Sequence, residues 1–200
     1  MIDEPFREWL ARRWSAPVAW MARAGVTPNQ VTVAATVLGV IAAALVAAQH
    51  VRAGLALWLL GRLLDGYDGL LARAIGRTSL FGAYLDITLD MLAYSAMAVA
   101  FAIAMPADVL LWLAVLVGYV LSITTTLALS SLAERANRPI AGNRAIRFTA
   151  AVAEGGETTI VYCMIALIPG WSRWVLVVWL MLLALAVIQR TRLAHSILRE

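Results

Sequence analysis

Apolar stretches long enough to cross a bilayer follow one another along this chain with only short breaks. A helix needs about 20 mostly apolar residues to span the hydrocarbon of a membrane. Six segments meet that pattern: 31–48, 53–72, 80–105, 109–132, 148–168 and 171–189. With 62% of residues hydrophobic and 14% charged, the chain has too little polar surface to cover such segments in water. The sequence therefore predicts an all-α integral membrane protein, one six-helix domain over residues 1–200. Residues 1–26 lack a continuous apolar run of the kind a cleavable signal carries. There Phe6, Leu10, Trp14, Val18 and Met21 recur at helical spacing while Arg7, Arg12 and Arg23 fall elsewhere, and Pro17 interrupts or bends the pattern. This predicts an interfacial amphipathic helix lying along the membrane surface. Thr27-Pro28-Asn29-Gln30 has the spacing of a capping box with proline at the first helical position, and marks the start of the first span.

The cationic side chains fix an orientation. All sixteen are arginine. Arg7, Arg12, Arg13 and Arg23 precede the first span, and Arg73 and Arg77 join the second to the third. Arg135, Arg138, Arg144 and Arg147 lie between the fourth and fifth, and Arg190, Arg192 and Arg199 follow the sixth. The opposite side has only Arg52 and Arg173, so both termini are expected on the cytoplasmic side of a bacterial-type inner membrane. The net charge of +4 reflects this topology. No basic stripe with interleaved aromatics is present, so no nucleic-acid partner is expected. Cys163, the single cysteine, excludes an intrachain disulfide and reads as a small apolar residue. Gly118, Gly155 and Gly156, within apolar segments, read as points of close helix packing.

Against this background four aspartates stand out. Asp65 and Asp68 end the second span, and Asp86 and Asp90 begin the third. An aspartate at the centre of a membrane helix costs about 2.5–3.5 kcal/mol, so such residues are functional candidates. Asp65, Asp68 and Ala72 share one helical face, and Gly82, Asp86 and Asp90 share another. A short turn around Gly76 makes the two helices antiparallel neighbours whose acidic faces can meet. Adjacent carboxylates repel unless a cation neutralises them, and hard oxygen donors suit Mg2+ or Mn2+. Gly69, Ala72 and Gly82 leave room for a large ligand beside them, or serve ordinary small-residue packing. Arg73 either anchors the topology or meets a diphosphate through charge-assisted hydrogen bonds.

The pattern D-x2-D-G-x2-A-R-x8-G-x3-D-x3-D, complete from Asp65 to Asp90, resembles the signature of the CDP-alcohol phosphatidyltransferase family. The resemblance implies transfer of a phosphatidyl or related phospho-group from a CDP-linked lipid, CDP-diacylglycerol foremost, to an alcohol with release of CMP. It also implies Mg2+ or Mn2+ held by Asp65, Asp68 and Asp86, with Asp90 as general base and a contact to a second ion. Asp65, Gly69, Ala72, Arg73 and Gly82 would form the pocket for the CDP moiety. Partners implied are the lipid donor, the alcohol acceptor, membrane lipids and a second copy of the chain as a homodimer.

For the acceptor, Arg135, Arg138 and Arg144 form a basic cluster on the same side as the motif, suited to a phosphorylated alcohol or to anionic lipid. Glu154 and Glu157 either line the acceptor pocket or sit at a helix amino terminus, where acidic side chains complement the dipole. Asp86-Ile-Thr-Leu-Asp90-Met lacks the Asp-Pro-x-Ala-Asp-Lys form typical of phosphatidylglycerophosphate synthases. Two other readings compete: a transporter relaying ions or protons through the aspartates, and a scaffold keeping the motif without activity. All four aspartates lie on consecutive segments, which argues against the divided carboxylates of inverted-repeat transporters. The complete motif argues against decay.

Overall fold

A computed structural model of the chain describes residues 15–137 and 155–199. All regular secondary structure among the described residues is helical, in seven α-helices and two single-turn 3-10 segments. The helices are α1 (Ser15–Arg23), α2 (Pro28–Ala47), α3 (Val51–Ala74), α4 (Leu80–Ala104), α5 (Val109–Arg135), α6 (Gly155–Leu167) and α7 (Ser172–Leu198). They form two compact units, one ending at Val109 and one beginning at Leu110.

In the first unit the expected capping box starts α2. Thr27 Oγ1 accepts from the Gln30 amide at 3.4 Å, and Gln30 Oε1 accepts from the Thr27 amide at 2.9 Å. Two orphan donors of the first turn are thereby satisfied. The buried face of α2 consists largely of small residues, among them Ala35, Gly39, Ala42 and Ala43. Its outward positions Val33, Val37 and Ile41 are exposed and apolar, as a lipid-facing surface requires. Lipid tails are as apolar as leucine, so such helices associate through close packing rather than hydrophobic burial. Gly54 on α3 marks the closest approach. A β-carbon there would lie 2.7 Å from the Ala42 carbonyl oxygen and 2.6 Å from Val46 Cγ2.

The α2–α3 and α3–α4 turns of this unit use left-handed backbone. Gln49, at φ 66°, lets the chain reverse between α2 and α3, and its side chain donates to the Ala104 carbonyl at the far end of α4 (3.2 Å). Gly76, at φ 65°, closes the α3–α4 turn where the sequence places it. Only glycine adopts that conformation without a steric penalty. Ser79 then caps α4, accepting from the Gly82 amide at 2.9 Å. Behind this turn Val18 of α1 packs with Val31, Tyr67 and Leu71, and Met21 joins the same cluster. Of the apolar stripe read in the amino-terminal segment, Val18 and Met21 thus pack against the protein, Phe6, Leu10 and Trp14 lie outside the described residues, and Trp20 is exposed.

In the second unit Trp112, Val115 and Tyr119 of α5 and Leu176, Trp179 and Leu183 of α7 are buried. A β-carbon at Gly118 would meet Leu183 Cδ1 at 2.9 Å, the close packing expected of that glycine. Tyr119 and Tyr162 join through their hydroxyls at 3.0 Å.

Among the described residues, four helical segments are long and apolar enough to cross a membrane: Pro28–Ala47, Leu80–Ala104, Pro106–Arg135 and Pro169–Leu198. Two of the six expected spans do not meet that criterion among the described residues. Helix α3 has 24 residues but carries Arg52, Arg62, Asp65, Asp68 and Arg73, which lower its hydropathy. Helix α6 has 13 described residues, and 148–154 of the expected fifth span lie outside the described part.

Candidate active site

The acidic faces of α3 and α4 do meet. One carboxylate oxygen each from Asp65, Asp68 and Asp86 lies within 4.8 Å of the other two, and all three residues are half-buried. Asp65 and Asp68 come together because three residues make nearly one helical turn. Asp86 is brought opposite by the five-residue break between the helices and the cap at Ser79. Thr32 on α2 fixes the trio from a third side, donating from Oγ1 to Asp68 Oδ2 at 2.6 Å. The Gly69 amide donates to the other oxygen of Asp68. A hydrogen bond to a charged carboxylate is shorter and stronger than a neutral one, so both oxygens of Asp68 are firmly oriented.

Asp90 is handled differently. One helical turn beyond Asp86, its Oδ1 accepts from Arg62 Nη1 at 2.5 Å, and it is not part of the trio. The same nitrogen lies 3.6 Å from Asp65 Oδ2 and 3.3 Å from the Tyr94 hydroxyl. The guanidinium carbon sits 4.9 Å from the ring centroid of Trp58 and 5.1 Å from that of Tyr94, two rings packed edge to face. At those distances both ring faces attract the cation. The four aspartates therefore divide into three that converge and one that is held by an arginine.

Beside the trio opens a cavity of about 190 Å3, lined by Asp68, Gly69, Ala72, Gly82 and Asp86 of the motif. Pro28, Asn29 and Thr32 of α2 and Arg77, Thr78, Ser79 and Ala83 around the α3–α4 turn complete the lining. Asn29 Oδ1 lies 3.3 Å from where a β-carbon at Gly82 would be, so a larger residue there would intrude on the cavity wall. Arg73, expected in the pocket, is exposed with its guanidinium folded over Gly69, and the arginine lining the cavity is Arg77. Sequence reasoning used Asn29 and Arg77 for capping and topology and passed over Thr32. The available signal was position: Thr32 lies one turn into a capped helix whose first residues face the motif.

Of the expected acceptor residues, Arg135 ends α5 and is exposed, and Glu157 lies half-buried in the first turn of α6. That position favours an acidic side chain through the helix dipole. Arg138, Arg144 and Glu154 lie outside the described residues. Chemically, three hard carboxylates this close match the donor set of a hard divalent cation such as Mg2+ or Mn2+. The neighbouring cavity, with small residues and a cation at its rim, suits a ligand bearing phosphates.

Residues 25–189 match the family model for CDP-alcohol phosphatidyltransferase. The chain is 33% identical over 152 residues to the inner membrane protein YnjF of Escherichia coli K12, covering 74% of this chain and 72% of that one. It is 39% identical over 89 residues to a phosphatidylinositol phosphate synthase of Mycobacteroides abscessus, covering 44% of this chain and 40% of that one. The fold is similar to that of the Mycobacterium tuberculosis phosphatidylinositol phosphate synthase PgsA1 in complex with manganese and citrate. That similarity has a TM-score of 0.72 at 22% identity, over 88% of this chain and 86% of that one. The same synthase with CDP-DAG bound gives 0.68 at 20% identity, over 92% and 94%.

Proposed function

The chain belongs to the CDP-alcohol phosphatidyltransferase family, and from that premise we propose that it transfers a phosphatidyl group from CDP-diacylglycerol to an alcohol, releasing CMP. The observation that carries this reading is the convergence of Asp65, Asp68 and Asp86 beside a cavity walled by the motif's small residues.

In this reading Asp65, Asp68 and Asp86 hold Mg2+ or Mn2+, with Asp90 near enough to contact a second ion. A divalent cation bound there neutralises the diphosphate and the charge that develops on departing CMP. Gly69, Ala72 and Gly82 admit the CDP moiety, Asp65 borders it, and Arg73 reaches its phosphates from the rim. The acceptor hydroxyl oxygen bonds to the phosphorus that carries the diacylglycerol, and the bond from that phosphorus to the bridging oxygen breaks. CMP leaves with the bridging oxygen and its electron pair, and Asp90 takes the hydroxyl proton. Positioning and charge stabilisation do most of the work, and no protein nucleophile is required.

The proposal extends to six spans in a bacterial inner membrane, with α3 and α6 as the second and fifth. It makes residues 1–200 one catalytic domain, with 1–26 at the interface. Arginine placement supports a cytoplasmic site and cytoplasmic termini. Arg135, Arg138 and Arg144, with Glu154 and Glu157, are proposed to receive the acceptor, and two copies of the chain to form a homodimer, the last on family resemblance alone. The relative from M. abscessus makes inositol phosphate the first acceptor to try.

The test is CMP release by the purified protein from CDP-diacylglycerol, with Mg2+, Mn2+ or chelator. The acceptors are inositol phosphate, glycerol 3-phosphate, serine and inositol. Metal-dependent release with one acceptor is expected, and Asp90→Asn should lower it on the order of 100-fold or more, as loss of a general base does. Release that ignores chelator, or an Asp90→Asn variant with near-normal turnover, would sink the assignment.

A further inference from the structure

Arg62 lies outside the family motif, yet its side chain reaches two of the motif's aspartates. Its side chain is 11% exposed. It reaches Asp90 at 2.5 Å, Asp65 at 3.6 Å and the Tyr94 hydroxyl at 3.3 Å, all through Nη1. Trp58, one turn earlier on α3, and Tyr94, one turn after Asp90 on α4, close on the guanidinium from two directions. Trp58 is fully buried. A long side chain that could adopt many rotamers is thus confined by two rings, with its short carboxylate contact made to Asp90 and a longer one to Asp65.

We propose that Arg62 is a positioning residue that aims the Asp90 carboxylate, holding its Oδ1 and leaving Oδ2 to serve the site. The inference rests on the reading of Asp90 as the group that serves the acceptor hydroxyl. Two features support a positioning role beyond charge balance. The planar guanidinium stacks with rings and donates in a fixed direction, which an ammonium does not. Its contacts come from both helices, so the Asp90 side chain is referenced to α3 as well as to its own backbone. Without the cage Asp90 would be free to turn toward the trio one helical turn away, and a misplacement of about 1 Å can cost on the order of 100-fold in rate.

The test uses full-length protein in detergent, with radiolabelled donor so that residual turnover is measurable, and with Mn2+ affinity read by electron paramagnetic resonance. Arg62→Gln should lower kcat about tenfold or more. Mn2+ affinity should stay within about threefold of wild type or tighten, because a cation beside Asp65 has been removed. In an Asp90→Asn background Arg62→Gln should add no further loss, as expected when one residue acts through the other. Should Arg62→Gln fail to fold, Arg62→Lys carries the same test, since it keeps the charge and loses the planar fork. If wild type is active and the Arg62 variants keep its kcat, the inference alone falls. It also falls if Arg62→Gln costs as much in the Asp90→Asn background, or if Mn2+ affinity collapses. A wild type that releases no CMP with any metal and acceptor removes the reading of the site and the inference together.

Discussion

Arg62 on α3 and Arg190 on α7 are both withdrawn from solvent, and their surroundings differ. Arg62 contacts two aspartates, one of them part of a further acidic trio. The linked group of Asp65, Asp68, Asp86, Asp90 and Arg62 holds four acids and one base. Arg190 donates to the Ser122 carbonyl at 3.1 Å and to the Ser122 hydroxyl at 2.5 Å, bonds that stitch α7 to α5. One turn away on α5, Tyr119 meets Tyr162 hydroxyl to hydroxyl. Polar groups inside apolar helices can therefore do two jobs. In the second unit these bonds join one helix to the next and fix its packing. In the first unit, among the described residues, four aspartates gather about one arginine, and an acidic excess of that kind is what a cation would neutralise.

That contrast can be broken by substitution. The largest effect is expected at Asp68→Ala. It should abolish high-affinity Mn2+ binding, read by paramagnetic resonance, and with it CDP-lipid binding; unchanged affinity for both would mean that the acidic excess serves no cation. Thr32→Val should have the next largest effect. Removing the donor that orients Asp68 is expected to weaken Mn2+ about 10-fold, the low end of what outer-shell partners contribute at metal sites. A wild-type affinity would show that the 2.6 Å bond is dispensable. The smallest effect belongs to the second unit. Tyr119→Phe leaves the Tyr162 hydroxyl without this partner and should cost about 1 kcal/mol of stability. Thermal unfolding in detergent checks the loss. Turnover should stay within about twofold, and a larger fall would erase the distinction between the two units.

How much of this was legible beforehand depended on the range of the interaction. The capping box at Thr27 and Gln30, the turn at Gly76 and the pairing of Asp65 with Asp68 follow from spacings of a few residues, and each is seen in the structure. The convergence of Asp86 on them followed from a short turn and antiparallel helices. The bond from Thr32 to Asp68 spans 36 positions and that from Arg62 to Asp90 spans 28. Contacts of that kind depend on how far α2, α3 and α4 are rotated against one another, which the close approaches at Gly54, to Ala42 and Val46, and at Gly39, to Ala93, constrain. Hydropathy gives no such rotation. A scale that scores residues singly also counts Arg62 and Asp65 of α3 as full penalties although they lie against one another.

The partner that Arg62 acquires is made later than Arg62 itself. Helix α3 leaves the ribosome carrying Arg62 and two of the four aspartates, Asp65 and Asp68, while Asp90 belongs to α4 and Thr32 to α2. A chain stopped after Ser79 would hold Arg62 without Asp90 or Tyr94, in a helix whose hydropathy alone does not commit it to the bilayer. In the six-span reading proposed above, stable insertion of α3 awaits its successor. The α2–α3–α4 segment, rather than any single helix, is then the unit that biogenesis delivers into the membrane.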